Sequence, residues 1–331
     1  MSTEDSSPIT IADAIEDFLS LTSLSRSENT ARSYKNAMNH FITVLNSHDI
    51  DADEYPVSNL DEKAVAWSLK ELKAYAPATE QLYTIAVSRF YQYLIAEELA
   101  PINIQRIQML FQHRRRKAGQ RLPQFPKEDI QAMIEYSQEF PGYQYAEERN
   151  RLIAHRDAAL IITLADTGMR VHEACNLRRG DIDWNEYKAI IIGKGDKQAV
   201  VRFSSRSINA IKKYLDLRAT LDGGSGRPLG SLPIFARHGR KAGNKVLPIS
   251  TTTARNIIKQ RVKENLGEET ARSITPHSFR HYFVTNVLIG SGGNLKLAQE
   301  LARHKNIQVT QRYAHLSDDE LDQGYYEVFE E

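Results

Sequence analysis

Between Ile274 and Tyr313 the chain reads ITPHSFRHYFVTNVLIGSGGNLKLAQELARHKNIQVTQRY. His277 and Arg280 stand three positions apart, about 60° from one another around a helix that advances roughly 100° per residue. Thr275 suits the N-cap of that helix, and Pro276 its first turn, where a missing N–H costs nothing. An imidazole and a guanidinium thus meet near a helix N-terminus, where the backbone already favours an anion. The chemistry this suits is phosphate binding. Phe279, Phe283 and Val287 fall on another sector and are the expected buried face. His304 precedes a polar loop, and Tyr313 closes the stretch. Singly, a His-x-x-Arg pair is a solvated helix face and a lone tyrosine is packing. Several such pieces in a fixed order carry more.

Upstream, Arg170 and Glu173 share a helix face at i, i+3, so the carboxylate can hold the guanidinium in one pose. Gly168 breaks the apolar helix over Asp157 to Asp166, and a new helix starts near Met169. Two strand candidates, Tyr187 to Ile192 and Gln198 to Phe203, flank Gly193-Lys194-Gly195-Asp196-Lys197, a hairpin whose glycines allow positive φ at the tip. No GxxxxGK[ST] pattern accompanies it, so it is not a nucleotide-binding loop. His172 and Cys175 form no metal site without a second pair of ligands.

The elements that must position these groups are mostly helical. Over residues 8–107 apolar positions recur at helical spacing in four segments: Ile9 to Leu21, Ser27 or Asn29 to Leu45, Ala64 to Leu72, and Thr79 to Leu99. That pattern predicts a small bundle. Arg26, Arg32, Lys35 and Arg89 lie near its helix starts and suit phosphate contacts. Residues 108–128 then change character: Arg114, Arg115, Arg116, Lys117 and Arg121 sit together, followed by Pro123 and Pro126. A basic, proline-punctuated stretch between folded halves reads as a linker, here one placed to touch a DNA backbone. Helix returns over Asp129 to Ser137, Ser205 to Leu217 and Thr251 to Asn265, with an irregular excursion at 220–248. The expected fold is mainly α with a small β-hairpin.

Composition sets bounds. With 331 residues, 41% hydrophobic and 26% charged, the chain is long enough for two domains. No run approaches the roughly 20 apolar residues of a membrane span, and the acidic, Ser-rich opening residues lack a secretory pattern. One cysteine fits a reducing compartment. The net charge of +1 does not announce a nucleic-acid binder, so any DNA surface must come from basic residues gathered on one face.

In order, the second half offers Arg170, a hairpin lysine, His277, Arg280, His304 and Tyr313. The motifs ADTGMRVHEACNL, IIIGKGDKQAVV, TPHSFRHYFVTN and ARHKNIQVTQRYAH make this chain resemble the tyrosine recombinases, the Xer and phage-integrase family of site-specific DNA recombinases. The resemblance covers nearly the whole chain. It implies a helical, SAM-like core-binding domain at 1–107, a basic interdomain linker at 108–128, and a mixed α/β catalytic domain with a C-terminal tail at 129–331. By resemblance, Arg170 and Arg280 clamp the scissile phosphate, and His277 accepts the tyrosine proton or bonds the phosphate. His304 adds a further hydrogen bond, and Glu173 supports Arg170. Tyr313 becomes a 3′-phosphotyrosine, and a hairpin lysine protonates the leaving 5′-oxygen. Family spacing favours Lys194 over Lys197. Tyr282, Tyr325 and Tyr326 are rival nucleophiles, but only Tyr313 has the expected distance from His304. The chain departs from the family where a glycine usually precedes His304: Arg303 stands there, altering the loop or adding a phosphate contact.

The resemblance also implies double-stranded DNA with a specific core site as partner, assembly into a tetramer on it, and no metal or nucleotide cofactor. A partner recombinase or a DNA-bending accessory protein is compatible with it, and the expected place is the cytoplasm, on the nucleoid. The early start of the helical domain leaves no room for an arm-binding domain. That points to a Xer-like resolver or a transposon or virus recombinase acting at a short site. Tyr325, Tyr326, Val328 and Phe329 make an acidic-apolar tail that either crosses to a neighbouring protomer or packs on its own domain. Two alternatives share the architecture: a type IB topoisomerase that relaxes DNA as a monomer, and a DNA-binding accessory protein of the same fold that has lost catalysis.

Overall fold

The computed structural model describes residues 8–114, 126–192, 198–239, 245–304 and 306–311. The chain divides into two compact units, Met1–Arg121 and Leu122–Glu331.

In the first unit α1 (Ile11–Ser25), α2 (Glu28–Asn46), α3 (Lys63–Glu71), α4 (Pro77–Ala96) and α5 (Ile104–Arg114) enclose one core. The start of α1 is fixed by a reciprocal cap: Asp13 donates its backbone N–H to Thr10 Oγ1 at 3.1 Å, and the Thr10 N–H returns to the Asp13 carboxylate at 3.0 Å. The Thr10 N–H and the Thr10 hydroxyl, which donates to the same carboxylate at 2.8 Å, hold the Asp13 carboxyl below its usual range. Phe18, Phe41, Phe90 and Tyr91 meet at the centre, with Phe41 and Tyr91 edge to face. Because α2 turns Ala37, Met38, Phe41 and Leu45 inward, Arg32 and Lys35 come out exposed on one side. Helix α5 runs to Arg114, into the stretch that composition marks as linker. Ile107, Leu110 and Phe111, at i, i+3 and i+4, pack on the core and carry the helix through its basic end.

The second unit is built on α7 (Glu148–Thr167), buried almost throughout from Leu152 onward. Each leucine or isoleucine it buries is worth about 1.5–3 kcal/mol, which makes this helix the main apolar investment of the unit. It packs against α9 (Ser205–Leu217) and α13 (Pro276–Gly290), with α6 (Lys127–Glu139) and α11 (Thr251–Leu266) alongside. Its two buried charged residues are compensated: Asp157 takes Arg156 at 2.6 Å and Arg261 at 2.8 Å. Helix α8 (Val171–Asn176) follows directly. Among the described residues no helix is long and apolar enough to cross a membrane.

A three-stranded antiparallel sheet comes next, in the order β1 (Ile182–Asp183), β2 (Lys188–Ile192), β3 (Gln198–Arg202). Lys188 faces Arg202 and Ile192 faces Gln198, so residues 193–197 form the connection. Ala189, Ile191 and Val201 point inward while Ile190, Ile192 and Val200 point out, the period-2 alternation of a half-buried sheet. Strands β2 and β3 are each one residue shorter than their sequence patterns. Tyr187 sits at φ 52, which breaks the extended backbone, although its carbonyl still accepts the Phe203 N–H at 2.8 Å. The excursion at 220–248 begins inside α10 (Ala219–Gly223) and is tied down from within. The fully buried Arg218 donates to Asp222, to the Ile234 carbonyl and to the Pro233 carbonyl, each at 2.8 Å. The chain ends its described course in α12 (Thr270–Ser273), α13, α14 (Leu295–Ala302) and α15 (Ile307–Gln311).

Candidate active site

The cluster is assembled from the ends of α7, α8, α13 and α14. Helix α7 stops at Gly168, which adopts the left-handed region at φ 58 and turns the chain sharply into α8. Arg170 caps α8 rather than lying within it, with extended backbone at φ −72 and ψ 147. Its backbone N–H donates to Glu173 Oε2 at 2.8 Å and its Nη1 to Glu173 Oε1 at 2.9 Å. Glu173 is buried while Arg170 stays exposed, so the carboxylate fixes the base of an arginine whose face is open.

Helix α13 begins as its spacing predicts: Thr275 is the N-cap, Pro276 opens the first turn, and the Thr275 N–H donates to Ser278 Oγ at 3.1 Å. Its buried face is wider than Phe279, Phe283 and Val287. Tyr282, Val284 and Leu288 are buried with Phe279, whereas Phe283 and Val287 are only partly covered, against α14. Arg280 is buried as well. Nη1 donates to the Gly168 carbonyl and Nη2 to the Ala302 carbonyl, so one side chain joins the α7–α8 turn to the end of α14. His277 is exposed at the helix start and meets His281 edge to face at 4.4 Å.

At the far side α14 ends in Arg303, itself left-handed at φ 57. The next residue, His304, bonds through Nδ1 to Thr310 Oγ1 at 2.9 Å, while Gln299 Nε2 donates to its carbonyl at 3.1 Å. Arg170, His277 and Arg280 line one cavity of about 420 Å³ with Arg255 and Thr275.

Electrostatics follow from this crowding of cations. Burial, then Arg280 and Arg170, push the His277 imidazole below its ordinary value. Burial and the same arginines push His304 down to about 4. Both rings are therefore neutral near pH 7. Burial opposes ionisation of Glu173, but Arg303 and the bonds from Arg170 outweigh it and hold the carboxyl below its usual range. One carboxylate thus faces several cations, an arrangement that calls for an anion.

Among the residues singled out in the sequence, Arg170, Glu173, His277, Arg280 and His304 come together. Arg32 and Lys35 lie in the other unit. Arg114 ends α5, and Arg115, Arg116, Lys117, Arg121, Lys194, Lys197, Tyr313, Tyr325 and Tyr326 lie outside the described residues. Tyr282, a rival nucleophile, is buried with its hydroxyl donating to Gln131 Oε1 at 2.5 Å. Cys175 is buried, which pushes its thiol up to about 11, while His172 is exposed. Sequence reasoning missed Thr310, Arg255 and the partner of Arg303. Only Thr310 left a signal, as a hydroxyl one short helix after His304.

Known proteins resemble this chain in sequence and in fold. The profile described as Phage integrase family matches residues 124–320, and the one described as Phage integrase, N-terminal SAM-like domain matches 15–98. Tyrosine recombinase XerC of Bacillus pumilus (strain SAFR-032) is 28% identical over 305 residues, covering 89% of this chain and 88% of that protein. Tyrosine recombinase XerC of Anoxybacillus flavithermus (strain DSM 21510 / WK1) is 29% identical over 296 residues, with 89% of each covered. Among solved structures, XerH site-specific recombinase bound to palindromic difH substrate superimposes with a TM-score of 0.66 at 18% identity, covering 99% of both chains. The Tn1549 transposon integrase in complex with transposon right end DNA gives 0.64 at 16% identity, over 97% of this chain and 99% of that one. These two show a shared fold.

Proposed function

The chain belongs to the phage integrase family, and from that premise we propose how it acts as a site-specific DNA recombinase, cutting and rejoining strands through a tyrosine-linked intermediate. The observation that carries the reading is the convergence of Arg170, His277, Arg280 and His304 from distant segments, three of them on one cavity. Cleavage without water needs a nucleophile that stays attached, so that the phosphoester bond is conserved for rejoining. Tyr313, two residues beyond α15, is that nucleophile. Its oxygen bonds to phosphorus as the bond to the 5′-oxygen breaks, leaving a 3′-phosphotyrosine and a 5′-hydroxyl.

Negative charge on the non-bridging oxygens is met by Arg170 and Arg280. The neutral His277 takes the tyrosine proton or bonds the phosphate, His304 adds a hydrogen bond, and Lys194 protonates the leaving oxygen. Attack by the 5′-hydroxyl of a second strand reverses the step and completes exchange. Arg32, Lys35 and the basic run from Arg114 to Lys117, with Arg121, contact the DNA backbone. We take residues 1–107 as the core-binding domain, 108–128 as the connection and 129–331 as the catalytic domain. Exchange between two duplexes requires four active sites, hence a tetramer on DNA at a short core site, with room for a partner recombinase or a DNA-bending protein. The cytoplasm, on the nucleoid, is where such a substrate is met.

A plasmid carrying two copies of the DNA that flanks the gene tests this. Purified protein should invert or excise the segment between the copies, read by restriction digestion. Relaxation of any supercoiled plasmid without segment exchange would instead make it a topoisomerase-like enzyme.

A further inference from the structure

Arg303 stands where the backbone asks for glycine. Its φ of 57 and ψ of 43 lie in the left-handed region, which disfavours any side chain with a Cβ, a long charged one included. The side chain is also largely buried, 11% exposed. Its Nη2 donates to Glu173 Oε2 at 3.0 Å and lies 3.5 Å from the Gly168 carbonyl. Among the described residues its Nε and Nη1 meet no acceptor. Strained backbone and incompletely bonded, desolvated charge both lower stability. The gain must lie elsewhere, and among the described residues the shortest polar contact of the side chain is with Glu173.

That contact changes what Arg170 can do. Glu173 offers Oε1 to the Arg170 guanidinium, while Oε2 is shared by the Arg170 backbone N–H and Arg303. With two guanidinium groups on one carboxylate the trio keeps a net positive charge. Without Arg303 the Arg170–Glu173 pair is neutral, and Oε2, still accepting the Arg170 backbone N–H, has its second acceptor position open to draw another N–H of the Arg170 guanidinium into a forked pair. Arg170 would then be held by the protein instead of by a phosphate.

We propose that Arg303 is a positioning residue: by occupying Glu173 Oε2 it holds Arg170 in a singly tethered pose that leaves its charge and remaining donors for the scissile phosphate. The inference rests on the reading of this cluster as a phosphodiester-cleaving site. It adds a group that reaches the phosphate only through two others.

Arg303→Gly removes the guanidinium and relieves the backbone, which offsets the loss of one charge facing the buried Glu173. Arg303→Met and Arg303→Lys keep the strained backbone and similar bulk and differ from each other in charge. Wild-type protein is first incubated with fragmented genomic DNA from its source, and covalently captured fragments are recovered and remade as nicked duplexes. Single-turnover adduct formation at saturating DNA, the Kd for the same duplex and the melting temperature are then measured for all four proteins.

The expected result is a fall of about ten- to a hundredfold in the adduct-forming rate for Gly and Met, the size of loss that misplacing one reacting group produces. Kd should change less than threefold, Lys should recover most of the rate, and all four proteins should remain folded at the assay temperature. Equal rates for wild type, Gly and Met would overturn the role of Arg303 and leave the recombinase reading intact. So would a rate in Lys as low as in Met, because charge would then not be the cause. Failure of wild type itself to capture any DNA would overturn the recombinase reading and this inference together.

Discussion

Replacing Gly168 by alanine should damage the protein more than any other single methyl group at the cluster. An alanine Cβ there would lie 2.4 Å from Phe283 Cδ1 and 2.8 Å from its Cγ, both far inside contact distance. The φ of 58 adds a left-handed penalty of about 1–2 kcal/mol for a residue with a Cβ. Forcing one methyl into a packed position costs about 1–3 kcal/mol more. The sum is roughly 2–5 kcal/mol, which for a unit of this size lowers the melting temperature by about 4–20 °C. The two causes separate in a double-mutant cycle. Phe283→Ala vacates the space, so Gly168→Ala should cost only the backbone term, about 1–2 kcal/mol, in that background. Since the Gly168 carbonyl accepts from Arg280, the variant should also lose DNA cleavage beyond its loss of folded protein. Chemical denaturation of the four proteins, with cleavage assayed well below their melting points, makes the comparison. A Gly168→Ala protein within 0.5 kcal/mol of wild type, taken as about the spread of neutral surface substitutions, would refute the turn geometry on which the cluster depends.

Three further outcomes are expected. Burial first, then Arg156, Arg218 and Arg149, push His238 down to about 3, and its Nε2 lies 2.7 Å from the Tyr214 hydroxyl. The unfolded chain binds that proton below about pH 6.5. Stability is therefore complete above this value and falls towards pH 3, by about 2 kcal/mol at pH 5; His238→Gln should flatten the slope, and an unchanged pH profile would contradict it. Neutralising Arg114 to Lys117 should weaken DNA binding and reduce its dependence on salt, as fewer counterions are released. An unaltered salt slope would return the run to a solvated connection. Lys194→Ala should impair cleavage with DNA binding nearly intact, since a leaving-group acid acts in the transition state; if Lys197→Ala does this instead, the general acid is Lys197.

What was legible in the sequence was what repeats or caps locally. The alternation in KAIII and QAVV placed β2 and β3, and Thr275-Pro276 placed the start of α13 and with it His277 and Arg280. Strand β1 has two residues and no period to read. Helix α5 was obscured by the charge of its last turn, although Ile107, Leu110 and Phe111 carried the helical spacing that a weight on composition overlooked. Apolar spacing along α13 underestimated burial because a helix packed on two sides covers Tyr282 and Val284 as well as Phe279. The partners that order the site were not legible. Arg303 reaches Glu173 across 130 positions, and Arg280 reaches Gly168 across 112. Such pairings exist only once the helices have packed. Arg303 was visible as a departure from a family pattern; its consequence was not.

The most direct test of the account is covalent trapping. Wild-type protein and Tyr313→Phe are each incubated with nicked duplexes made from the DNA flanking the gene, and the products are separated on a denaturing gel. The account predicts a protein–DNA adduct in wild type that vanishes in Tyr313→Phe. An adduct that survives the substitution would assign the nucleophile to another residue and contradict the central claim.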